Sequence, residues 1–133
     1  MEKQNYYIKW AAALAAIGVS FGALGAHTLE NLLSVKSLTS WETAVRYQLI
    51  HAVVILILAL NDKLISDKKT HRILNFFILG IVFFSGSIYL LSTQSLTGLS
   101  VSFLGPITPI GGVLMITSWI LVFLQAIKTT KLK

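Results

Sequence analysis

VRYQLIHAVVILILAL, residues 45–60, poses the fold question, because its two halves make different demands. From Ala52 to Leu60 no polar side chain occurs, whereas Arg46, Tyr47, Gln48 and His51 crowd the first half. A membrane-spanning helix needs about 20 mostly apolar residues, because the hydrocarbon core is about 30 Å thick. Extended back to Glu42, this stretch reaches that length. Polar groups inside such a span face the bundle interior, a water-filled cavity or one another. The stretch therefore predicts a spanning helix with one face turned toward neighbouring helices.

Three further apolar runs share its character. The predicted spans are residues 10–27, 42–60, 73–91 and 109–127, all within one domain covering residues 1–133. Of the 133 residues, 55% are hydrophobic and 12% charged, with mean hydropathy +0.76. A soluble domain carries about 25% charged residues, so the polar surface is too small for one. The chain has no cysteine, which excludes disulfides, thiolate metal sites and cysteine nucleophiles. We read the first run as a retained span. Lys3 and Lys9 ahead of it, with Ala23 and Gly25 near its end, also fit a signal peptide.

The net charge of +6 does not point to nucleic acid, because the basic residues sit in short groups between apolar runs. Lys3 and Lys9 precede the first span. Lys63, Lys68, Lys69 and Arg72 lie between the second and third, and Lys128, Lys131 and Lys133 follow the fourth. Four spans put these nine on one side, against Lys36 on the other, with Arg46 inside a span. The positive-inside rule then predicts cytoplasmic N- and C-termini. The expected architecture is all-α: a polytopic membrane protein built as a four-helix transmembrane bundle.

The segment TLENLLSVKSLTS, residues 28–40, reads as a short helix lying at the outer interface. Ser40 reads as the cap of the second span. Trp10 and Trp41 fall at run ends, as residues of an aromatic belt do. Gly18, Gly22 and Ala26 recur every four residues, with Ala11 and Ala15 extending the small surface. Such stripes let helix backbones approach closely. Gly25, Gly86, Gly111 and Gly112 are expected to pack helices in the same way. Glu42 and Arg46 stand at i, i+4 and can form an ion pair.

Tyr47, Gln48 and His51 lie on another side of the helix. With His27, Ser85, Ser87 and Thr108 they form a candidate polar pocket opening outward. Its expected roof is GPITPIGG, residues 105–112, whose prolines and glycines suggest irregular backbone. The same groups serve equally as hydrogen-bonding partners that fix helix register. No zincin, nucleophile-elbow or P-loop motif occurs. His27, Glu42 and His51 could supply metal ligands only if the fold gathered them, and their spacing gives that no support. No catalytic residue, metal or cofactor is expected.

Four segments then carry a resemblance: GALGAHTLE (22–30), WETAVRYQLIH (41–51), FSGSIYLL (84–91) and LGPITPIGGVLMITSW (104–119). In order, over almost the whole chain, they resemble the YwdK/YgdD-like family of small membrane proteins of unknown function. That family is itself similar to eukaryotic transmembrane protein 256. The resemblance implies a four-span protein of the bacterial inner membrane and no established reaction, substrate or cofactor. Its pattern falls on Gly22, Gly25, Ala26 and His27, and on Trp41, Ala44, Tyr47, Gln48 and His51. It continues through Ser85, Gly86, Ser87 and Tyr89 to Gly105, Thr108, Pro109, Gly111, Gly112 and Trp119. Thr28 stands where the family commonly has glycine, and Arg46 is not part of the pattern.

Three functional classes follow from these residues. The first is a non-enzymatic multi-pass protein of the cell membrane, structural, accessory or partner-binding. Its partners would be membrane lipid and either a second copy or another membrane protein. The second is a carrier, channel, or lipid- or quinone-binding protein that uses the outward pocket for an unnamed small molecule. The third, a membrane enzyme, lacks a nucleophile, a carboxylate pair or a metal constellation.

Overall fold

The computed structural model describes residues 1–130, with side chains through Ile127. Lys131 and Lys133 of the charge count lie outside the described residues, as does the side chain of Lys128. Helices account for nearly all of the described chain: α1 (Glu2–His27), α2 (Val35–Leu60), α3 (Asp62–Ile65), α4 (Lys68–Thr97) and α5 (Ile107–Thr130). α1, α2, α4 and the segment Ser102–Ile127 containing α5 are each long and apolar enough to cross a membrane. The long helices have 24 to 30 residues. At about 1.5 Å per residue they extend about 36–45 Å, through the hydrocarbon and into the headgroup layers.

These helices are longer than the apolar runs that announced them. α1 begins at Glu2, eight residues before Trp10. α2 begins at Val35, capped by Ser34, whose side chain accepts from the Ser37 amide at 3.2 Å. Ser40 is not the cap; its hydroxyl donates to the Lys36 carbonyl inside the helix. The expected interfacial helix shrinks to a 3₁₀ turn, Leu29–Asn31. Polar residues in the first two turns of α2 dilute the hydropathy signal without disturbing helical hydrogen bonding. On the other side of the bundle, the charged hairpin contains the one-turn α3. Asn61 and Asp67 cap α3 and α4. α4 stops at Gly98, whose φ of 67° ends the helix in the left-handed conformation that glycine adopts without strain.

α2 and α4 form the centre, with α1 packed chiefly on α2 and α5 on α4. One core, toward the termini, joins Tyr7, Leu14, Ile55, Leu74, Phe77 and Met115. A second, toward the other end, joins Leu29, Leu33, Trp41, Val45 and Tyr89. Trp41 is thus buried rather than placed in an aromatic belt. Ile17, Val53, Ile57, Val82, Val113, Ile116 and Phe123 are exposed, as on a bundle whose outer surface faces hydrocarbon.

Two glycine seams hold the bundle. Along α1, Ala11, Leu14, Gly18 and Gly25 are buried. A Cβ at Gly18 would lie 2.7 Å from Leu49 Cδ2, one at Gly22 3.4 Å from Val45 Cγ1, and one at Gly25 2.9 Å from Trp41 Cδ1. Ala26 is exposed and does not pack. Four residues turn the helix slightly more than a full circle, so a strict i+4 series drifts off its face by about 40° per step. The step from Gly22 to Gly25 corrects that drift, and the step to Ala26 adds to it. Along the α4–α5 seam, a Cβ at Gly111 would overlap the Phe84 backbone nitrogen and come 2.8 Å from the Gly80 carbonyl oxygen. Gly112 only grazes Phe84 at 3.9 Å, and Gly86 has nothing within 4 Å, so neither forms the seam. Gly80, which its place in the sequence does not single out, is the true partner of Gly111.

Candidate functional site

Polar residues in the middle of the bundle meet across its seams in pairs. Gln48 is 3% exposed and uses both ends of its amide. Its Nε2 donates to the Leu14 carbonyl at 2.7 Å, and its Oε1 accepts from the Tyr89 hydroxyl at 2.9 Å. One side chain on α2 thereby ties α1 to α4. Seven residues earlier Trp41 also bonds to α1, its Nε1 donating to the Phe21 carbonyl at 2.8 Å. A helical side chain leans toward the N-terminus over the turn before it, where it covers the carbonyl four residues back. Gly18 stands four residues after Leu14, and Gly25 four after Phe21. Each glycine leaves its carbonyl open to a second donor. The acceptor, the glycine and the α2 donor all recur at a seven-residue interval.

The other seams use hydroxyls. Ser85 of α4 donates to the Ala44 carbonyl of α2 at 2.8 Å. Ser118 of α5 reaches the Ile73 carbonyl of α4 at 3.3 Å, and Ser87 meets Thr108 at 2.6 Å. His51 sits between α2 and α5. Its Nδ1 lies 2.7 Å from the Tyr47 carbonyl, and its Nε2 accepts from Trp119 Nε1 at 3.2 Å. Both contacts are satisfied by a neutral imidazole with its proton on Nδ1. Neither ring nitrogen is left free for a metal or for a second proton unless a bond breaks. Tyr47 stacks one turn above His51, with ring centroids 5.9 Å apart, and is 41% exposed on the outer surface.

The candidate residues therefore do not form one pocket. Gln48, Ser85 and Tyr89 serve the α1–α2–α4 side, while His51 and the Ser87–Thr108 pair serve the side of α5. His27 is exposed at the end of α1, 13 residues beyond Leu14, or about 20 Å along the axis from the Gln48 bond. It does not gather with Glu42 and His51. The expected roof is also absent as irregular backbone. α5 begins at Ile107, so Thr108–Gly112 are helical. Pro109 lies in the first turn, where a missing N–H removes no intrahelical bond. Glu42 and Arg46 are both exposed on α2 and make no ion pair with each other. Two long solvated side chains gain little from closing such a pair, so the spacing permits the contact without enforcing it.

Several bonding groups escape a reading of the sequence alone. At the termini, Tyr7 donates to Asn75 Oδ1 at 3.1 Å, and Gln4 Nε2 to Asp62 Oδ1 at 3.0 Å. Gln125 donates to Thr70 Oγ1 at 3.0 Å. Asn75 is the first polar residue inside the third apolar run, and that isolation is a usable signal. Replacing Gln48 by leucine strands the Tyr89 hydroxyl in the core. The variant is expected to lose about 1–2 kcal/mol, the upper range for interhelical hydrogen bonds in membranes. Unfolding in mixed detergent micelles measures it.

Comparison with known proteins agrees with this architecture. The family model described as "Protein of unknown function (DUF423)" matches residues 21–112. The UPF0382 membrane protein YwdK of Bacillus subtilis is 42% identical over 125 residues, covering 92% of this chain and 96% of its own. The UPF0382 membrane protein SSP2132 of Staphylococcus saprophyticus is 41% identical over 127 residues, covering 92% and 97%. A UPF0382 membrane protein of Haemophilus influenzae is 33% identical over 118 residues, covering 88% and 90%. No solved structure matches. With its family match spanning Phe21 to Gly112 and its relatives aligned almost end to end, the chain belongs to the DUF423 family, whose curated relatives are membrane proteins.

Proposed function

We propose that this protein is a sealed, non-enzymatic helical bundle of the bacterial cell membrane, acting as an accessory or partner-binding component. Its partner would be a second copy or another membrane protein. Both termini face the cytoplasm in this reading, supported by the clustering of lysine and arginine at the end of the bundle that carries them. One observation carries the proposal. The buried polar groups at mid-bundle, Gln48, His51, Ser85, Tyr89 and Ser118, are bonded across helix seams to one another, to backbone or, for His51, to the Trp119 indole. A conduit keeps polar groups available to its cargo; here they close the seams.

Flux across proteoliposomes tests it. Vesicles containing the purified chain are expected to dissipate proton and potassium gradients no faster than protein-free vesicles. A flux abolished by His51→Phe or Tyr47→Phe in a folded protein would overturn the sealed reading. The absence of native cysteine allows single cysteines at Ser66 and Ser102 to report orientation in cells. Ser66 is expected to be shielded from an impermeant thiol reagent and Ser102 to be labelled.

A further inference from the structure

Ser92 departs from a habit that many helical serines and threonines of this chain share. Ser20, Thr39, Ser40, Thr43, Thr93 and Ser118 each donate to the carbonyl four residues back. Ser92 does not. It is 5% exposed, and its Oγ is the one buried side-chain polar atom among the described residues with no hydrogen-bond partner. A buried hydroxyl left unpaired costs more than a made bond gains, so a ligand that satisfies it binds with that advantage.

Ser92 lines a cleft of about 480 Å³ between the start of α2, the end of α4 and the start of α5. Lys36, Ser37 and Gln94 contribute to the same wall, over a floor that includes Ile88 and Leu91. No carboxylate lines it. Lys36 is exposed, and it is the cation that the lining supplies. The Ser37 hydroxyl accepts from Ser34 Oγ at 3.0 Å, which leaves its own proton to donate. The Gln94 side chain is at the surface, clear of the helix seams. The lining thus offers a cation and several donors to a ligand rich in acceptor oxygens. The cleft lies where the helices reach the headgroup layer, and its apolar floor runs toward the hydrocarbon. Its volume falls in the range of small-molecule sites, well above the space one inorganic anion needs.

We propose that this cleft binds the phosphate of an anionic phospholipid headgroup. The Lys36 ammonium and the hydroxyls of Ser37 and Ser92 donate to its oxygens, and the lipid body lies over Ile88 and Leu91. This goes beyond the sealed-bundle reading, and the two fail separately: lipid retention says nothing about flux, and flux says nothing about retention.

Native mass spectrometry of the full chain, released from nanodiscs of mixed phosphatidylglycerol and phosphatidylcholine, tests it. The wild type is expected to retain one phosphatidylglycerol in preference to phosphatidylcholine. Lys36→Gln and Ser92→Ala should each cut that retention about tenfold, the loss of one charge-assisted bond, and Lys36→Arg should keep most of it. Delipidated Ser92→Ala should melt no lower than wild type, since the hydroxyl it removes holds nothing together. Equal retention of the two lipids, or retention unchanged in both variants, would overturn the proposal. So would a lower melting temperature for delipidated Ser92→Ala, which would give Ser92 a structural partner. Phosphorus NMR with inorganic phosphate alone supplies the remaining arm. Binding of free phosphate with the same dependence on Lys36 and Ser92 would make this a small-anion site and overturn the lipid assignment.

Discussion

Gly111→Ala is expected to part α5 from α4 and to destabilise the protein by about 2 kcal/mol, the scale of an overpacked core. The sign rests on what the new methyl would meet. It would run into the Phe84 backbone nitrogen and come 2.8 Å from the Gly80 carbonyl oxygen. No rotamer change relieves a clash with backbone, so the helices themselves must separate. Overpacking of this kind costs about 3 kcal/mol at the upper end of its usual range. Exchanging glycine for alanine within a helix returns about 1 kcal/mol, and the clash wins. Gly86→Ala is the matched control, on α4 but off the seam. It meets nothing within 4 Å, so only the helix term remains, and it should stabilise by about 0.5–1 kcal/mol. Unfolding in mixed micelles compares the two. Spin labels at Val82 and Val113, both exposed, should move apart in Gly111→Ala and keep their separation in Gly86→Ala. A Gly111→Ala protein as stable as wild type with unchanged label distance would refute the backbone contact.

The contrast between these two glycines shows what is legible in the sequence and what is not. The four spans can be read because hydropathy is a local property, and each run declares itself without reference to its neighbours. Gly86 and Gly111 look alike by that measure. They differ only in which way each faces, and facing depends on helix phase and on the crossing partner. Small errors of phase accumulate: a drift of about 40° per four-residue step takes Ala26 off the face that Gly25 holds. The start of α2 is hidden for a related reason. Ser34 and Ser40 are equally good caps by type, and the polar residues between them hide six residues of helix from a hydropathy window.

The candidate polar pocket divides on the same principle. Helical angle separates Tyr47, Gln48 and His51 from Arg46. Their partners are not visible in the sequence, because Gln48 and His51 bond to a carbonyl, a phenol and an indole on three other helices. Backbone carbonyls carry no sequence signature except the glycine that leaves them uncovered. That signature is present: Gly18 and Gly25, seven residues apart, face Gln48 and Trp41, seven residues apart. Small residues in a membrane helix read first as permission for close approach. Here they also open a specific acceptor, which makes the α1–α2 seam directional as well as tight.

Gly25→Ala tests that second role, and it is expected to cost about 2 kcal/mol, within the usual range for overpacking. The added methyl would stand 2.9 Å from Trp41 Cδ1 and 3.0 Å from its Nε1. The indole has little room to yield. Phe21 and Tyr89 hold it on two sides, with ring centroids 5.2 and 4.6 Å away. Displacing it breaks the 2.8 Å bond to the Phe21 carbonyl and loosens the aromatic cluster; together these exceed the gain of about 1 kcal/mol from the helix term. Trp41→Phe removes the same bond without adding bulk to α1, and should cost about 1–2 kcal/mol. If glycine serves to seat the indole, the two changes act on one interaction and cannot add. Gly25→Ala in the Trp41→Phe background should then cost less than half of what it costs alone, a coupling that a double-mutant cycle resolves. Strict additivity would mean that Gly25 matters only for helix spacing. Trp10→Phe and Trp119→Phe leave Trp41 as the sole indole, so its N–H resonance reports the bond directly. That resonance should shift in Gly25→Ala toward the position of an indole free of a carbonyl acceptor.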